Sequence, residues 1–121
     1  MGLFDYVRCE INLPRPLNEG ELRGVKWEEK QLQTKDLGDP ALKHYLIDSN
    51  GLLWEEGPVS GEKRKNSASC DVHIYDYIFG DKFNYWVEWR ARFSEGVCKS
   101  LELEKWRETE SIYEHNSTRQ Q

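Results

Sequence analysis

The feature that most constrains this chain is a two-residue alternation of apolar and polar side chains between residues 83 and 93. One side carries Phe83, Tyr85, Val87, Trp89, Ala91 and Phe93. The other side carries Asn84, Trp86, Glu88, Arg90 and Arg92. Successive side chains of a β-strand point to opposite faces, so the pattern predicts a strand with one buried face. Residues 94–96 supply a short turn and residues 97–104 alternate again, which predicts a long antiparallel hairpin.

Other segments also have the composition of strands. Asn50-Gly51 favours a tight hairpin turn, because both residues tolerate positive φ. Residues 72–79 are apolar on both sides, which is typical of a central strand. The predicted strands outside the long hairpin cover residues 4–13, 31–36, 42–47, 52–54 and 72–79.

The remaining segments are polar or weakly patterned. Residues 17–29 are polar and irregular, and residues 55–69 have the Gly, Pro, Ser and Lys content of a solvated loop. The spacing of apolar residues in 104–113 favours a C-terminal amphipathic helix, and residues 115–121 read as a frayed tail. We therefore predict a single domain over residues 1–121. It is mainly β, an antiparallel sheet of six or seven strands, sandwich-like or strongly curved, with that one helix.

Composition excludes several classes of function. The 121 residues carry a net charge of −5, from 22 acidic and 17 basic side chains, which disfavours nucleic acid as a partner. No window is apolar enough to span a membrane, and the N-terminus lacks a signal-peptide pattern. The three cysteines, Cys9, Cys70 and Cys98, are too widely spaced to indicate a disulfide framework. We expect a protein of a reducing cytoplasm.

Neither a metal site nor a catalytic site is predicted. Cys70 and His73 have C-x-x-H spacing, but zinc needs four ligands, and the other cysteines and histidines are scattered. Cys9 with His44 or His73 could serve nucleophilic catalysis on paper. However, Cys9 alternates with charged neighbours and is better interpreted as a small core residue. We expect no cofactor.

The polar side of the long hairpin is the candidate binding site. Trp86, Glu88, Arg90 and Arg92 form a row on one strand, which we call the outer row. A tryptophan beside arginines offers aromatic area, planar donors and cation–π stacking, the chemistry of a contact surface. Two alternatives are a solvated face with Glu–Arg pairs and a face covered by the C-terminal segment. The basic run 63–65 could extend this surface or simply keep its loop solvated.

The chain opens with Met-Gly-Leu-Phe-Asp-Tyr-Val-Arg-Cys-Glu. This stretch is the most specific part of a resemblance to a group of small, uncharacterised proteins encoded by bacteriophages and prophages. The other matching stretches are Leu13-Pro14, residues 32–37, 48–52 and 86–93, and Gly96. The chain departs from the group at Leu32, where the others tend to carry phenylalanine. The resemblance implies a phage accessory protein acting inside the bacterial host, and it carries no catalytic residue with it.

These observations favour a non-enzymatic binding or inhibitor module that acts on a host or phage macromolecule, most simply a protein, for example in an anti-defence role. A second hypothesis is a small enzyme or nucleotide-binding protein. It predicts a deep pocket with converging polar groups from Arg8, Glu10, His44 or His73. A third hypothesis is a minor component of the virion.

Overall fold

The computed structural model describes residues 3–38, 40–57, 59 and 61–110, and the mainly β prediction is confirmed. Its strands are β1 (Asp5–Cys9), β2 (Leu32–Thr34), β3 (His44–Ile47), β4 (Leu53–Glu56), β5 (Lys63–Lys65), β6 (Asp71–Phe79), β7 (Phe83–Ser94) and β8 (Val97–Glu110). They form one eight-stranded sheet in the order β5-β4-β3-β1-β2-β6-β7-β8. Neighbouring strands are antiparallel except for β1 and β3, which run parallel.

The predicted long hairpin is present and forms the main wall of the core. Glu95 and Gly96 make the turn with φ of 49° and 77°. Gly96 is required there, because a Cβ would lie 2.0 Å from the Asn66 carbonyl oxygen. Tyr85, Val87 and Trp89 are fully buried on the inner face, as the alternation predicts.

The segment between β1 and β2 covers this inner face. It contains two short 3₁₀ helices, Gly20–Leu22 and Trp27–Glu29, and it buries Leu13, Leu22 and Trp27. The Trp27 ring packs edge-on against Trp89 with centroids 5.2 Å apart. The sequence correctly predicted an irregular segment over 17–29 but did not predict that it would supply part of the core.

The sheet curves strongly, because strands far apart in its order meet at one end. The Leu53 N–H donates to the Gly96 carbonyl at 2.9 Å, and the Cys98 N–H donates to Gly51 at 2.8 Å. The turn after β3 therefore touches the tip of the β7–β8 hairpin. A second constraint is the fully buried Asp5, whose carboxylate accepts the N–H groups of Ala41 and Lys43 at 2.9 Å and fixes the entry into β3.

Two predictions about the segments between strands were wrong. The C-terminal helix is absent from the described residues, because 104–110 continue β8. A β-bulge at Glu104 shifts the phase of the alternation, so the segment lost its two-residue period in the sequence. The supposed solvated loop contains β5, where Arg64 pairs with Glu55 at 2.7 Å. Residues 111–113 of the predicted helix and the predicted tail 115–121 lie outside the described residues.

No helical segment in the described ranges is long and apolar enough to cross a membrane.

Candidate protein-binding face

The outer face of β6 and β7, opposite the core, carries four neighbouring aromatic side chains, Tyr75, Tyr77, Phe79 and Trp86, which we call the aromatic patch. The Tyr75 and Trp86 rings stack with centroids 5.1 Å apart and planes at 26°. Tyr77 meets Phe79 edge-on, also at 5.1 Å, and lies directly across from Trp86. Phe79 is 74% exposed and Tyr77 41% exposed. The four rings therefore form one contiguous apolar surface open to solvent.

The alternation along β6 explains why these rings face outward. Val72 and Ile74 are fully buried on the inner face, so the odd-numbered residues point the other way. β6 lies between β2 and β7, as the doubly apolar sequence predicts for a central strand. Tyr77 and Phe79 are exposed, and Tyr75 and Trp86 are half-buried. Exposed contiguous apolar surface of this kind is typical of interaction sites.

The structure places the whole outer row on this face but divides it into two parts. Trp86 belongs to the aromatic patch, and its Nε1 donates to the Glu88 carboxylate at 3.3 Å. Arg90 instead binds two carboxylates of β8, Glu102 at 2.7 Å and Glu104 at 3.1 Å. The arginine end therefore matches the alternative of a face with Glu–Arg pairs, while the tryptophan end remains open.

The second arginine of the row is also paired within the chain. Arg92 Nε lies 3.0 Å from the carboxylate of Asp71, its cross-strand neighbour on β6. The hydrogen bond from Arg92 holds the pKa of Asp71 below its ordinary value. Both guanidinium groups thus have intramolecular partners.

A shallow cleft of about 370 Å³ adjoins the aromatic patch, lined in part by Asp36, His73, Tyr75 and Trp86. The Asp36 carboxylate accepts the His73 backbone N–H at 2.7 Å and contacts His73 Nδ1 at 2.9 Å. The Asp36 side chain therefore caps the edge of β6 where β2 has ended. Further along the same edge, the Asp76 carboxylate accepts the Tyr77 N–H at 2.9 Å. These carboxylates protect the edge, so the open feature is the face of β6.

Of the four polar residues named for an enzyme or nucleotide site, Arg8 and His44 share a cleft, whereas Glu10 and His73 lie elsewhere. Arg8 and His44 line one cleft of about 310 Å³, where His44 stacks on Tyr6 at 4.8 Å. Glu10 lines a second cleft and His73 a third. The four residues are thus distributed over three clefts, and one cleft contains two of them.

Burial raises the pKa of all three cysteine thiols, Cys9, Cys70 and Cys98. Burial raises the pKa of the Cys9 thiol to about 12, which opposes thiolate formation. Cys70 is exposed, but partial burial and the charges of Asp36 and Asp71 raise its pKa as well. Within the described residues, no group of three or more histidine, cysteine, aspartate or glutamate side chains could hold a metal ion.

Sequence reasoning missed Tyr75, Tyr77 and Phe79 as site residues. It predicted a central strand over residues 72–79, apolar on both sides, without assigning either side to solvent. The turn at Gly80-Asp81 could have identified them, because it pairs this strand with β7. A reversal there, closed by the Gly80 N–H on the Phe83 carbonyl at 2.9 Å, brings Tyr77 opposite Trp86.

Comparison of the chain with known protein families, curated proteins and solved structures finds no match in any of the three.

Proposed function

We propose that this protein is a non-enzymatic binding module whose aromatic patch docks on a partner protein. The observation that carries the proposal is the exposure of Tyr77 and Phe79 beside the stacked Tyr75 and Trp86 rings. A few aromatic anchors at the centre of an interface commonly supply most of its binding free energy. The ion-paired arginines beside them have the polar character of an interface rim.

The biological setting is a bacterial cell in which a bacteriophage or prophage is active. It is supported by the resemblance of the opening ten residues and of residues 86–93 to phage-encoded proteins. In that setting the partner is a host or phage protein, and inhibition of a host defence protein is the role that such a small module fits best. Its location is then the bacterial cytoplasm.

The proposal predicts that a partner is lost when the patch is made polar. Tagged wild-type protein and a Tyr77→Ser/Phe79→Ser variant are used to capture partners from lysates of phage-infected bacteria, with quantification by mass spectrometry. Both residues face solvent, so the double variant should fold as the wild type does, which circular dichroism checks. For the recovered partner, titration calorimetry should show affinity at least tenfold weaker with the variant.

Leu17→Ser is the matched control, because Leu17 is fully exposed and lies away from the patch. This variant should retain the partner. Equal partner affinity for the wild type and the patch variant would contradict the proposal.

A second candidate function is the binding of a small ligand such as a nucleotide. The observation that favours it is the cleft where Tyr6 and His44 stack beside Arg8. A nucleobase could stack on these rings while Arg8 meets a phosphate. A thermal-shift screen against nucleotides tests this function. A shift that Arg8→Ala abolishes would support it, and a flat response would exclude it.

The third hypothesis, a minor virion component, has a direct test. The protein should then be found in purified phage particles by mass spectrometry at a constant number of copies per particle.

A further inference from the structure

β8 borders the sheet, and its outer edge presents backbone groups that lack strand partners. Beyond Cys98, no strand in the described part of the chain pairs with this edge. On β7 the odd-numbered residues direct their backbone groups toward β6, as shown by the Phe93 N–H, which donates to Cys70. Their partners on β8 must therefore point the N–H and C=O groups away from the sheet. These partners are Leu101, Leu103, Trp106 and Glu108.

The bulge at Glu104 restricts how two copies of this edge could pair. Trp89 lies opposite Leu103 and Glu88 opposite Lys105, so Glu104 is the extra residue. Leu103 and Trp106, three positions apart, consequently share the inner face. When two copies of β8 pair in an antiparallel arrangement, inner-face residues lie opposite inner-face residues on both sides of the bulge in only one register. Its twofold axis passes between Glu104 and Lys105.

That register also aligns the outward-pointing backbone groups. Leu103 of one copy lies opposite Trp106 of the other, and Leu101 lies opposite Glu108. All four residues direct their N–H and C=O groups outward, so these positions would form about eight intermolecular hydrogen bonds. Leu103 and Trp106 are only partly buried in the single chain. Pairing would bury their remaining apolar surface.

The charges of β8 are self-complementary in the same register. Arg107 meets Glu102 of the other copy, and Lys105 meets Glu104. In the single chain, Glu102 and Glu104 share one guanidinium, that of Arg90. Among the described residues, no carboxylate lies within ion-pairing distance of Lys105 or Arg107. On the outer face of β8, two acidic residues, Glu102 and Glu104, thus precede two basic residues, Lys105 and Arg107.

The opposite border of the sheet lacks this property. β5 consists of Lys63, Arg64 and Lys65, all exposed. Two copies of β5 would bring only cations together, which is a common protection against edge pairing. A bulge and charged residues can also protect an edge, but on β8 both favour one specific register.

We propose that this protein forms a symmetric dimer by antiparallel pairing of β8 with β8 of a second copy, continuing the sheet across the twofold axis between Glu104 and Lys105. The occupant of the edge is a second copy of this chain. The aromatic patch lies on the face of each sheet, so dimerisation leaves it open and presents two patches per particle.

A complementation experiment tests the pairing and its register. Sedimentation equilibrium should show wild-type dimers whose fraction rises with protein concentration. Glu102→Arg alone and Arg107→Glu alone should each weaken dimerisation at least tenfold, because each places like charges together twice. A mixture of the two variants should form heterodimers with near wild-type affinity, since both of its charge pairs are again opposite.

Arg23→Glu is the control for net charge, because Arg23 is exposed on the loop before β2. This variant should dimerise as the wild type does. Thermal unfolding of each variant checks that the subunit is folded, since Glu102→Arg also removes a contact of Arg90. Wild-type protein that stays monomeric up to millimolar concentration would overturn the proposal, and so would a mixture that fails to recover dimers. The Tyr77→Ser/Phe79→Ser variant should still dimerise, so failure of the dimer and failure of the patch can be told apart.

Discussion

Two tryptophans of β7, three residues apart, show how differently the two faces of the sheet are used. Trp89 is fully buried, packs against Trp27 and Trp106, and donates from Nε1 to the Pro14 carbonyl at 2.7 Å. Trp86 is only partly buried and stacks on Tyr75. The inner ring contacts three other parts of the chain, whereas the outer ring stacks on Tyr75 and donates to Glu88 on its own strand. The comparison separates residues that stabilise the fold from residues available to a partner.

The largest expected effect is the difference in the free energy of unfolding between alanine variants of the two tryptophans. Trp89→Ala should lower the free energy of unfolding by about 3–5 kcal/mol, because it leaves a cavity and the Pro14 carbonyl loses its donor. Trp86→Ala should cost about 1 kcal/mol, the value of one aromatic stack at a solvated face. Urea unfolding at fixed protein concentration measures both. Similar losses for the two variants would contradict the assignment of faces.

Partner capture should rank the two variants in the opposite order, with the larger loss of partner binding for Trp86→Ala. The folded fraction of Trp89→Ala should still bind the partner, because its outer face is unchanged. Trp86→Ala should fold fully and bind weakly.

The sequence predicted most of the strands because alternation is a local property. The inner face of β7 and the turn at Glu95-Gly96 follow from residues that are neighbours in the chain. The parallel pairing of β1 with β3 was not predicted, since it depends on a crossover of more than thirty residues and on the buried carboxylate of Asp5. Local pattern carries no information about such distant partners.

The same reasoning explains what was predicted of the candidate site. Alternation correctly directed Trp86, Arg90 and Arg92 outward. It could not show that Asp71 and Glu102 hold the two arginines, because those carboxylates come from neighbouring strands whose register must first be known.

The two faces should also differ in their dependence on pH. Asp76 points inward on β6, and burial raises its pKa despite the nearby ammonium of Lys30 at 3.4 Å. When a carboxyl group has a raised pKa in the folded state, the free energy of unfolding of the protein falls as the pH rises above about 4, the pKa of that group in the unfolded chain. Asp76→Asn should therefore match the wild type in acid and be more stable at neutral pH.

Asp71, on the outer face, should have the opposite effect on how stability depends on pH. Arg92 lowers its pKa, so its contribution is present above about pH 4 and is lost as the pH falls through the lowered pKa. Asp71→Asn should be slightly less stable than the wild type at neutral pH, and this difference should vanish in acid. Urea midpoints measured across the acidic range test both variants. The same sign for both would contradict the distinction between the faces.

The smallest expected effect concerns the arginine end of the outer row. Arg92→Ala should lower the midpoint of thermal unfolding only slightly, as Asp71→Asn does, because the exposed pair with Asp71 is screened by water and costs side-chain entropy to hold. It should also change partner affinity less than threefold, since this guanidinium lies at the rim and already has a carboxylate. Calorimetric titration of the partner with Arg92→Ala and with Tyr77→Ser/Phe79→Ser compares the two affinities directly. If Arg92→Ala lost as much partner affinity as the double variant, the binding site would have to be assigned to the arginines and not to the aromatic patch.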